Sequence, residues 1–286
     1  MIRRVLLSAV SGVALASSAF AADIYSPGPV NYAAVAMPVS SWSGFYLGIN
    51  GGYGGESGLG FRDNVFETSP VTPYASLAGS TNITGGFGGG QVGYNLQAGN
   101  IVYGIETDIQ GSGIMGSGTQ AFLGASGTSF CPASPFLPAS CGAKSDLNVD
   151  YFGTVRGRLG YNVGGTLLYL TGGFAYGGVN TSTAYADYIT PGSVNLHGRA
   201  SNSATLTGWT AGAGVEYKIS PSWSLKGEYQ FVDLGSISAG PGPTLIGTTP
   251  SVNYLLNSKS QQVEFNTVRV GLNYFFNAAY EPLPLK

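Results

Sequence analysis

The stretch that decides the fold is YFGTVRGRLGY, residues 151–161. Its alternate positions hold Tyr151, Val155, Leu159 and Tyr161, and the polar or basic residues Thr154, Arg156 and Arg158 lie on the opposite face. An alternation of period two predicts a β-strand whose two faces meet different environments. Here one face is apolar and aromatic, and the other carries two arginines.

The same alternation recurs along the chain, and it predicts eight strands at about 43–53, 84–96, 101–113, 147–161, 166–178, 204–218, 222–235 and 261–276. Short links at 97–100, 162–165 and 219–222 alternate with long ones at about 54–83, 114–146, 179–203 and 236–260. Transmembrane barrels have this asymmetry, with short periplasmic turns and longer extracellular loops. The sequence therefore predicts an all-β fold, an eight-stranded antiparallel up-and-down transmembrane β-barrel over residues 41–276, with four long extracellular loops.

The composition agrees with a surface that faces lipid. Charged residues make up 9% of the chain, against about 25% in a typical soluble protein. The net charge of −2 gives no electrostatic footprint for nucleic acid, so we expect no nucleic-acid partner.

Outward aromatic residues are expected near both ends of the strands and would form two girdles. The pairs are Phe45 and Tyr53, Tyr151 and Tyr161, Trp209 and Tyr217, and Trp223 and Phe231. At about 3.3 Å per residue and a tilt of about 40°, their spacing corresponds to roughly 20–25 Å, close to the apolar band of a membrane barrel. The alternative is a set of ordinary core aromatics in a soluble β-sandwich.

The N-terminus has the three features of an export signal. Arg3 and Arg4 precede an apolar segment at 5–16, and Ala19-Phe20-Ala21 supplies a small-x-small cleavage pattern. We predict a signal peptide at 1–21, a flexible periplasmic leader at 22–40, and location in the bacterial outer membrane. The apolar segment is too short for a membrane anchor.

The residues at the alternate, inward-facing positions of the strands predict what fills the barrel. These positions contain four acidic and five basic residues: Glu106, Asp108, Arg156, Arg158, Glu216, Lys218, Lys226, Glu228 and Arg269. An eight-stranded barrel is just wide enough to be filled by side chains, and buried charges must be paired. We therefore predict a lumen ion-pair network that plugs the barrel, with a narrow or gated channel through it as the alternative.

Two cysteines and a glycine run are the other candidates for chemical sites. Cys131 and Cys141 flank a short segment, and in an exported chain we expect them to form a local disulfide rather than a metal site. The glycine run at 85–90 lacks the Lys-Ser/Thr of a phosphate-binding loop. We expect no metal and no cofactor.

Several segments together resemble a known family. They are Trp42-Ser43-Gly44-Phe45-Tyr46-Leu47-Gly48, Gly93-Tyr94-Asn95, Tyr103-Gly104-Ile105-Glu106, the stretch at 154–161, Tyr169-Leu170-Thr171-Gly172-Gly173, Gly212-Ala213-Gly214-Val215-Glu216-Tyr217 and Val268-Arg269-Val270-Gly271-Leu272-Asn273-Tyr274. The combination, covering about 41–276, resembles the porin-like outer-membrane β-barrel family of small alphaproteobacterial surface antigens (OmpA-type eight-stranded barrel).

The resemblance implies an abundant, surface-exposed structural protein without catalytic residues. It implies as partners the outer-membrane lipid and lipopolysaccharide, and the barrel-assembly machinery, which recognises a final aromatic residue. Here Phe276 is followed by residues 277–286, a predicted periplasmic tail that departs from the family pattern. Haemin or host-surface binding is ascribed to some members.

Function classes other than a structural barrel have little support in the sequence. Catalysis would need a nucleophile, a base and an orienting carboxylate at close spacing, whereas the only histidine, His197, lies in a long outer connection. Haemin capture would need axial or stacking groups, for which His197, Tyr185, Tyr188 and Tyr254 are candidates. We therefore expect a non-enzymatic structural protein, with a channel or a ligand-binding surface as alternatives.

Overall fold

The structure, a computed structural model, describes residues 41–68, 71–124, 142–188, 195–237, 245–246, 253–258 and 261–276. The strands are β1 (Gly44–Thr68), β2 (Val71–Ala98), β3 (Ile101–Gly124), β4 (Gly142–Val163), β5 (Thr166–Tyr188), β6 (Asn195–Lys218), β7 (Trp223–Ile237), β8 (Leu245–Ile246), β9 (Asn253–Ser258) and β10 (Gln261–Phe275). Within those ranges no helix combines the length and the apolar character needed to cross a membrane.

Eight of these strands form a closed antiparallel ring. Each of β1 to β6 pairs with the next in sequence, β10 pairs with β7, and β10 also pairs with β1, where Leu47 lies opposite Tyr274. The short strands β8 and β9 pair with each other, and β9 pairs with β1 near Thr68. The predicted eight-stranded up-and-down barrel is confirmed.

At one end of the barrel, here called the turn end, the connections are short. Gly99 and Asn100 join β2 to β3, Gly164 and Gly165 join β4 to β5, and residues 219–222 join β6 to β7. Gly99 has φ of 61° and Gly164 has φ of 57°. These left-handed conformations are the ones that a two-residue hairpin requires, and glycine adopts them without strain.

At the other end, here called the outer end, the strands are longer than the sequence pattern predicted. β1 continues to Thr68 and β2 begins at Val71, whereas the prediction had them ending and beginning at about 53 and 84. The predicted boundaries were wrong because they rest on apolar residues of the outward face, and that pattern ends before the strands do. Residues 125–141, with Cys131 and Cys141, lie outside the described residues, as do 1–40 and 277–286.

Two neighbouring strands bulge where the pattern ends. Register shifts occur on β3 between Gly111 and Ile114, and on β4 between Val149 and Tyr151. Val149 continues the alternation of Tyr151 and Val155 and is predicted on that basis to face outward. The prediction is wrong, since the side chain of Val149 is fully buried in the barrel. An extra residue in one strand moves every following side chain to the opposite face.

The polarity of the barrel is inverted between its two halves. In the turn-end half the outward face is apolar, as at Ile105 (56% exposed) and Leu159 (59% exposed). In the outer half the interior is apolar instead, with a buried cluster of Leu59, Ile83, Phe87, Ile114, Leu147, Val149, Phe152, Ala175, Val179, Val232, Leu234, Ile237, Val263 and Phe265. The strands therefore begin as a membrane barrel and continue as a barrel with an ordinary hydrophobic core.

Candidate functional site

All nine charged residues predicted for the lumen face the interior of the barrel. Their relative exposures are 0% for Glu106, 4% for Asp108, 1% for Arg156, 5% for Arg158, 0% for Glu216, 8% for Lys218, 0% for Lys226, 3% for Glu228 and 1% for Arg269. They come from β3, β4, β6, β7 and β10. Period-two alternation places them on one face of each strand, and ring closure brings those faces together.

Arg156 and Arg269 join opposite walls of the barrel. The guanidinium of Arg156 lies 2.5 Å from Glu106, 2.9 Å from Asp108 and 2.5 Å from Glu228. That of Arg269 lies 3.0 Å from Asp108 and also forms an ion pair with Glu228. Since Glu228 is on β7 and Asp108 is on β3, these contacts cross the lumen.

A second group of contacts lies nearer the turn end. Arg158 Nη2 is 2.6 Å from Glu216 Oε2, although β5 separates their strands. Thr171, which lies opposite Arg158 on β5, is small, so the guanidinium can reach over that strand. Lys226 Nζ is 2.9 Å from Glu106 Oε1, so this second group shares a carboxylate with the first.

The network carries no net formal charge. Its acids are Glu106, Asp108, Glu216 and Glu228, and its bases are Arg156, Arg158, Lys226 and Arg269. A buried ion whose partner is removed costs several kcal/mol. Four charges of each sign, placed within contact distance, avoid that cost.

Hydroxyl and amide groups donate to the same carboxylates, and sequence reasoning did not include them in the site. Tyr46 donates to Glu106 at 2.7 Å, and Tyr169 donates to Glu228 at 2.6 Å. Ser224 and Asn273 both donate to Glu216 Oε1, at 2.5 and 2.7 Å. All four share the lumen-facing parity of their strands, a signal that could have identified them.

Lys218 is not joined to the other eight residues by an ion pair among the described residues. Its ammonium lies 3.3 Å from the ring centroid of Phe275 and 4.9 Å from that of Trp42, and it donates to the backbone carbonyl of Pro221 at 3.1 Å. Cation–π contacts of this kind offset part of the cost of burying the ammonium. The structure therefore places Lys218 below the network, at the turn end.

Apolar layers cover the network on both sides. Toward the outer end, the ring of Phe152 meets those of Phe87 and Phe265 edge to face, at centroid distances of 5.2 and 5.3 Å. Toward the turn end, a buried cluster contains Trp42, Tyr46, Val102, Leu167, Tyr169 and Phe275. The ion pairs therefore lie between two groups of packed rings and aliphatic side chains, away from water.

The predicted girdle residues all lie on the outward face of their strands. Seven are well exposed, namely Phe45 (60%), Tyr53 (60%), Tyr151 (37%), Tyr161 (53%), Trp209 (52%), Tyr217 (55%) and Trp223 (43%), and Phe231 is half-buried. Trp209 and Phe231 pack together, with ring centroids 5.3 Å apart.

The residues considered for haemin binding lie outside the part of the chain whose side chains are described. His197 and Tyr188 lie opposite Ala186 and Asn195 in the β5–β6 pairing. Tyr185 and Tyr254 likewise have only their backbone pairing described.

Comparison with known proteins identifies the family. A family model described as the outer membrane protein beta-barrel domain matches residues 7–276. The chain belongs to this family. The resemblance seen in the sequence is thus confirmed, and the protein is a β-barrel of the outer membrane.

Two relatives show how far the similarity extends within this barrel family. The 31 kDa outer-membrane immunogenic protein of Brucella melitensis is 38% identical, over 96% of this chain and 100% of its own length. The 22 kDa outer membrane protein of Rhizobium leguminosarum bv. viciae is 33% identical, over 70% of this chain and 67% of its own. Among solved structures, the outer membrane protease OmpT of Escherichia coli matches with a TM-score of 0.44 and 13% identity, over 82% of this chain and 97% of that one.

Proposed function

We propose that this outer-membrane barrel is a non-enzymatic structural protein with a closed lumen, and that its long strands present their outer ends at the cell surface. The observation that carries this proposal is the neutral set of eight buried charges that links opposite walls of the barrel. The immunogenic relatives support exposure of the outer end at the surface.

The lumen contacts favour a structural role over transport. The four carboxylates face four cations at ion-pair distance. The fifth lumen cation among the described residues, Lys218, lies at the turn end against the rings of Phe275 and Trp42. Rings on both sides, among them Phe152 and Phe275, fill the space that a solute would have to cross. A barrel of eight strands is just wide enough to be filled by its own side chains.

The same contacts favour a non-enzymatic role. General acid–base catalysis needs a titratable group within hydrogen-bond reach of a substrate. In the described lumen, Glu106 and Glu228 each receive two or more charged donors and a tyrosine hydroxyl, and both are buried. These acids stabilise the barrel and are closed to substrates.

Deletion of the gene in the source bacterium tests the structural role. We expect greater sensitivity to detergent and to a metal chelator, restored by the full-length gene, and unchanged uptake of small sugars and amino acids. Loss of uptake in cells whose detergent sensitivity is normal would refute the structural proposal and favour the channel.

A further inference from the structure

Among the described residues, Lys218 carries the one lumen charge that has no opposite charge at ion-pair distance. The other eight lumen charges form a neutral set of four acids and four bases. Glu216, two positions away on the same face of β6, already accepts hydrogen bonds from Arg158, Ser224 and Asn273. The described turn end therefore has one excess positive charge, and a largely buried ammonium favours an anionic partner.

The ammonium of Lys218 is able to bind a further acceptor. A lysine ammonium has three N–H donors, and the one hydrogen bond that it donates within the described part of the chain goes to the Pro221 carbonyl at 3.1 Å. The rings of Phe275 and Trp42 contact the ammonium but leave its charge in place. With 8% of its surface exposed, Lys218 is also the most accessible of the nine lumen charges.

The chain leaves the barrel directly beside this ammonium. The Phe275 N–H donates to the Ser222 carbonyl at 2.8 Å, and Ser222 follows Pro221, which accepts the hydrogen bond of Lys218. The ring of Phe275 is itself 3.3 Å, centroid to ammonium, from Lys218. The segment that follows Phe276 therefore starts at the same side of the turn-end mouth as Lys218.

That segment, residues 277–286, contains one carboxylate side chain, Glu281. The five residues from Phe276 to Glu281 span at most about 18 Å when extended. Pro282 disfavours a helical conformation at Glu281 and so favours an extended segment. Asp23, the one acid of the leader at 22–40, is much farther along the chain from the first described residues, so loop closure favours Glu281 as the partner.

We propose that the segment after Phe276 folds back across the turn-end mouth and that the Glu281 carboxylate pairs with the Lys218 ammonium. The contact gives each of the nine lumen charges an opposite partner. It also joins the end of β10 to the end of β6, the two strands that flank β7. The inference is independent of the proposed structural function, since it concerns the turn-end mouth and holds whether or not the lumen conducts.

A carbodiimide, which joins an amine directly to a carboxylate where the two are in contact, tests the pairing in the folded full chain in detergent. We expect an amide bond between Lys218 and Glu281, identified by mass spectrometry of the digested protein. Glu281→Gln and Lys218→Met should each abolish it. The exposed pair of Lys144 and Asp146, 3.4 Å apart, is the internal control and should be joined in all three proteins.

Release of the fragment 281–286 by chymotrypsin, which cleaves after Tyr280, gives a second measurement. We expect the unchanged protein to be cleaved about fivefold more slowly than Lys218→Met, the effect of one ion pair at the upper end of the range for pairs near a surface. Lys218→Arg, which keeps the charge, should keep the protection. So should Lys144→Met, which removes an exposed lysine of the outer half.

Three outcomes would overturn the proposal. They are no link between Lys218 and Glu281 in folded protein whose Lys144 link forms, a link from Lys218 to Asp23 instead, and equal cleavage of the unchanged protein and Lys218→Met. If Lys218→Met fails to fold, Glu281→Gln, which lies beyond the barrel strands, replaces it, with its cleavage rate divided by that of a free 277–286 peptide carrying the same substitution. A ratio equal to that of the unchanged protein would equally refute the contact.

Discussion

Replacing Arg156 with methionine removes the cation that makes the most ion pairs in the lumen. Its guanidinium lies within 2.9 Å of three carboxylates, and the side chain has no exposure to solvent. Each acid keeps another cation, such as Lys226 for Glu106 at 2.9 Å and Arg269 for Asp108 at 3.0 Å. The variant therefore leaves one net buried negative charge rather than three isolated ones, and a broken buried pair costs about 3–5 kcal/mol.

The assay is urea unfolding of the barrel refolded into lipid vesicles, followed by tryptophan fluorescence. Asp108→Asn added to Arg156→Met restores neutrality, and we expect a favourable coupling of more than about 1 kcal/mol in the double-mutant cycle. Lys144→Met is the control, because that exposed ion pair is worth about 0.5 kcal/mol or less. The reasoning is refuted if Arg156→Met loses no more stability than Lys144→Met.

Three further predictions concern the wall and the outer core, and all use the same unfolding assay. Gly52→Ala should lower the free energy of unfolding by about 1–3 kcal/mol, because its new Cβ would lie 2.3 Å from the Val268 carbonyl oxygen. The control, Gly51→Ala, makes only ordinary contacts and should leave stability unchanged. Equal effects of the two substitutions would contradict this prediction. Ile105→Arg, in the apolar band, should lower the free energy of unfolding by about 2–4 kcal/mol, and Ser117→Arg, in the outer half, should lower it by almost nothing. Similar losses for the two variants would contradict the change of the outward face from apolar to polar. Phe152→Ala should cost about 3–5 kcal/mol, since its buried ring contacts two others; a loss below about 1 kcal/mol would mean that the outer interior is not a packed core.

Much of the fold was predictable because alternate residues of each strand in a membrane barrel face lipid and lumen, which produces a simple period-two pattern in the sequence. Phe45, Leu47 and Ile49 alternate with residues that face the lumen, and all three are more than half exposed on the outward wall. The same parity places Arg156 and Glu228 in the interior, where the structure finds them in contact. Local patterning was sufficient there, since the lipid and the lumen impose opposite polarities on neighbouring residues.

The outer half was predicted less well because the apolar face of each strand changes from the outside of the barrel to its interior along the length of the strand. Once the wall leaves the apolar band, solvent faces the outside and the interior becomes apolar, as at Val149 and Ile114. The bulges that shift the parity of β3 and β4 depend on pairing between strands and leave no clear local signal in the sequence. The pattern of outward apolar residues therefore predicted the outer ends of β1 to β6 too close to the turn end, whereas the bounds of β7 and β10 agree with the prediction to within about two residues.

Site details that depend on distances across the lumen could not be predicted from parity. Lys218 shares the inward face with Glu216, yet it lies against the rings of Trp42 and Phe275. The alternation along β5 is enough to place Tyr169 on the inward face, but only the closed ring brings its hydroxyl to Glu228, 59 residues away in the chain. Such contacts follow from the curvature and stagger of the barrel, which single strands do not specify.

The central claim is that the lumen is closed by paired charges and apolar layers, and current through single barrels in a planar lipid bilayer tests it most directly. The refolded full chain, checked for folding by its heat-modifiable gel mobility, is added to a bilayer in concentrated salt. The account predicts a flat baseline at every moderate voltage, since Arg156, Phe152 and Phe275 leave no open path. Reproducible current steps that appear only with folded protein would contradict it and establish a channel.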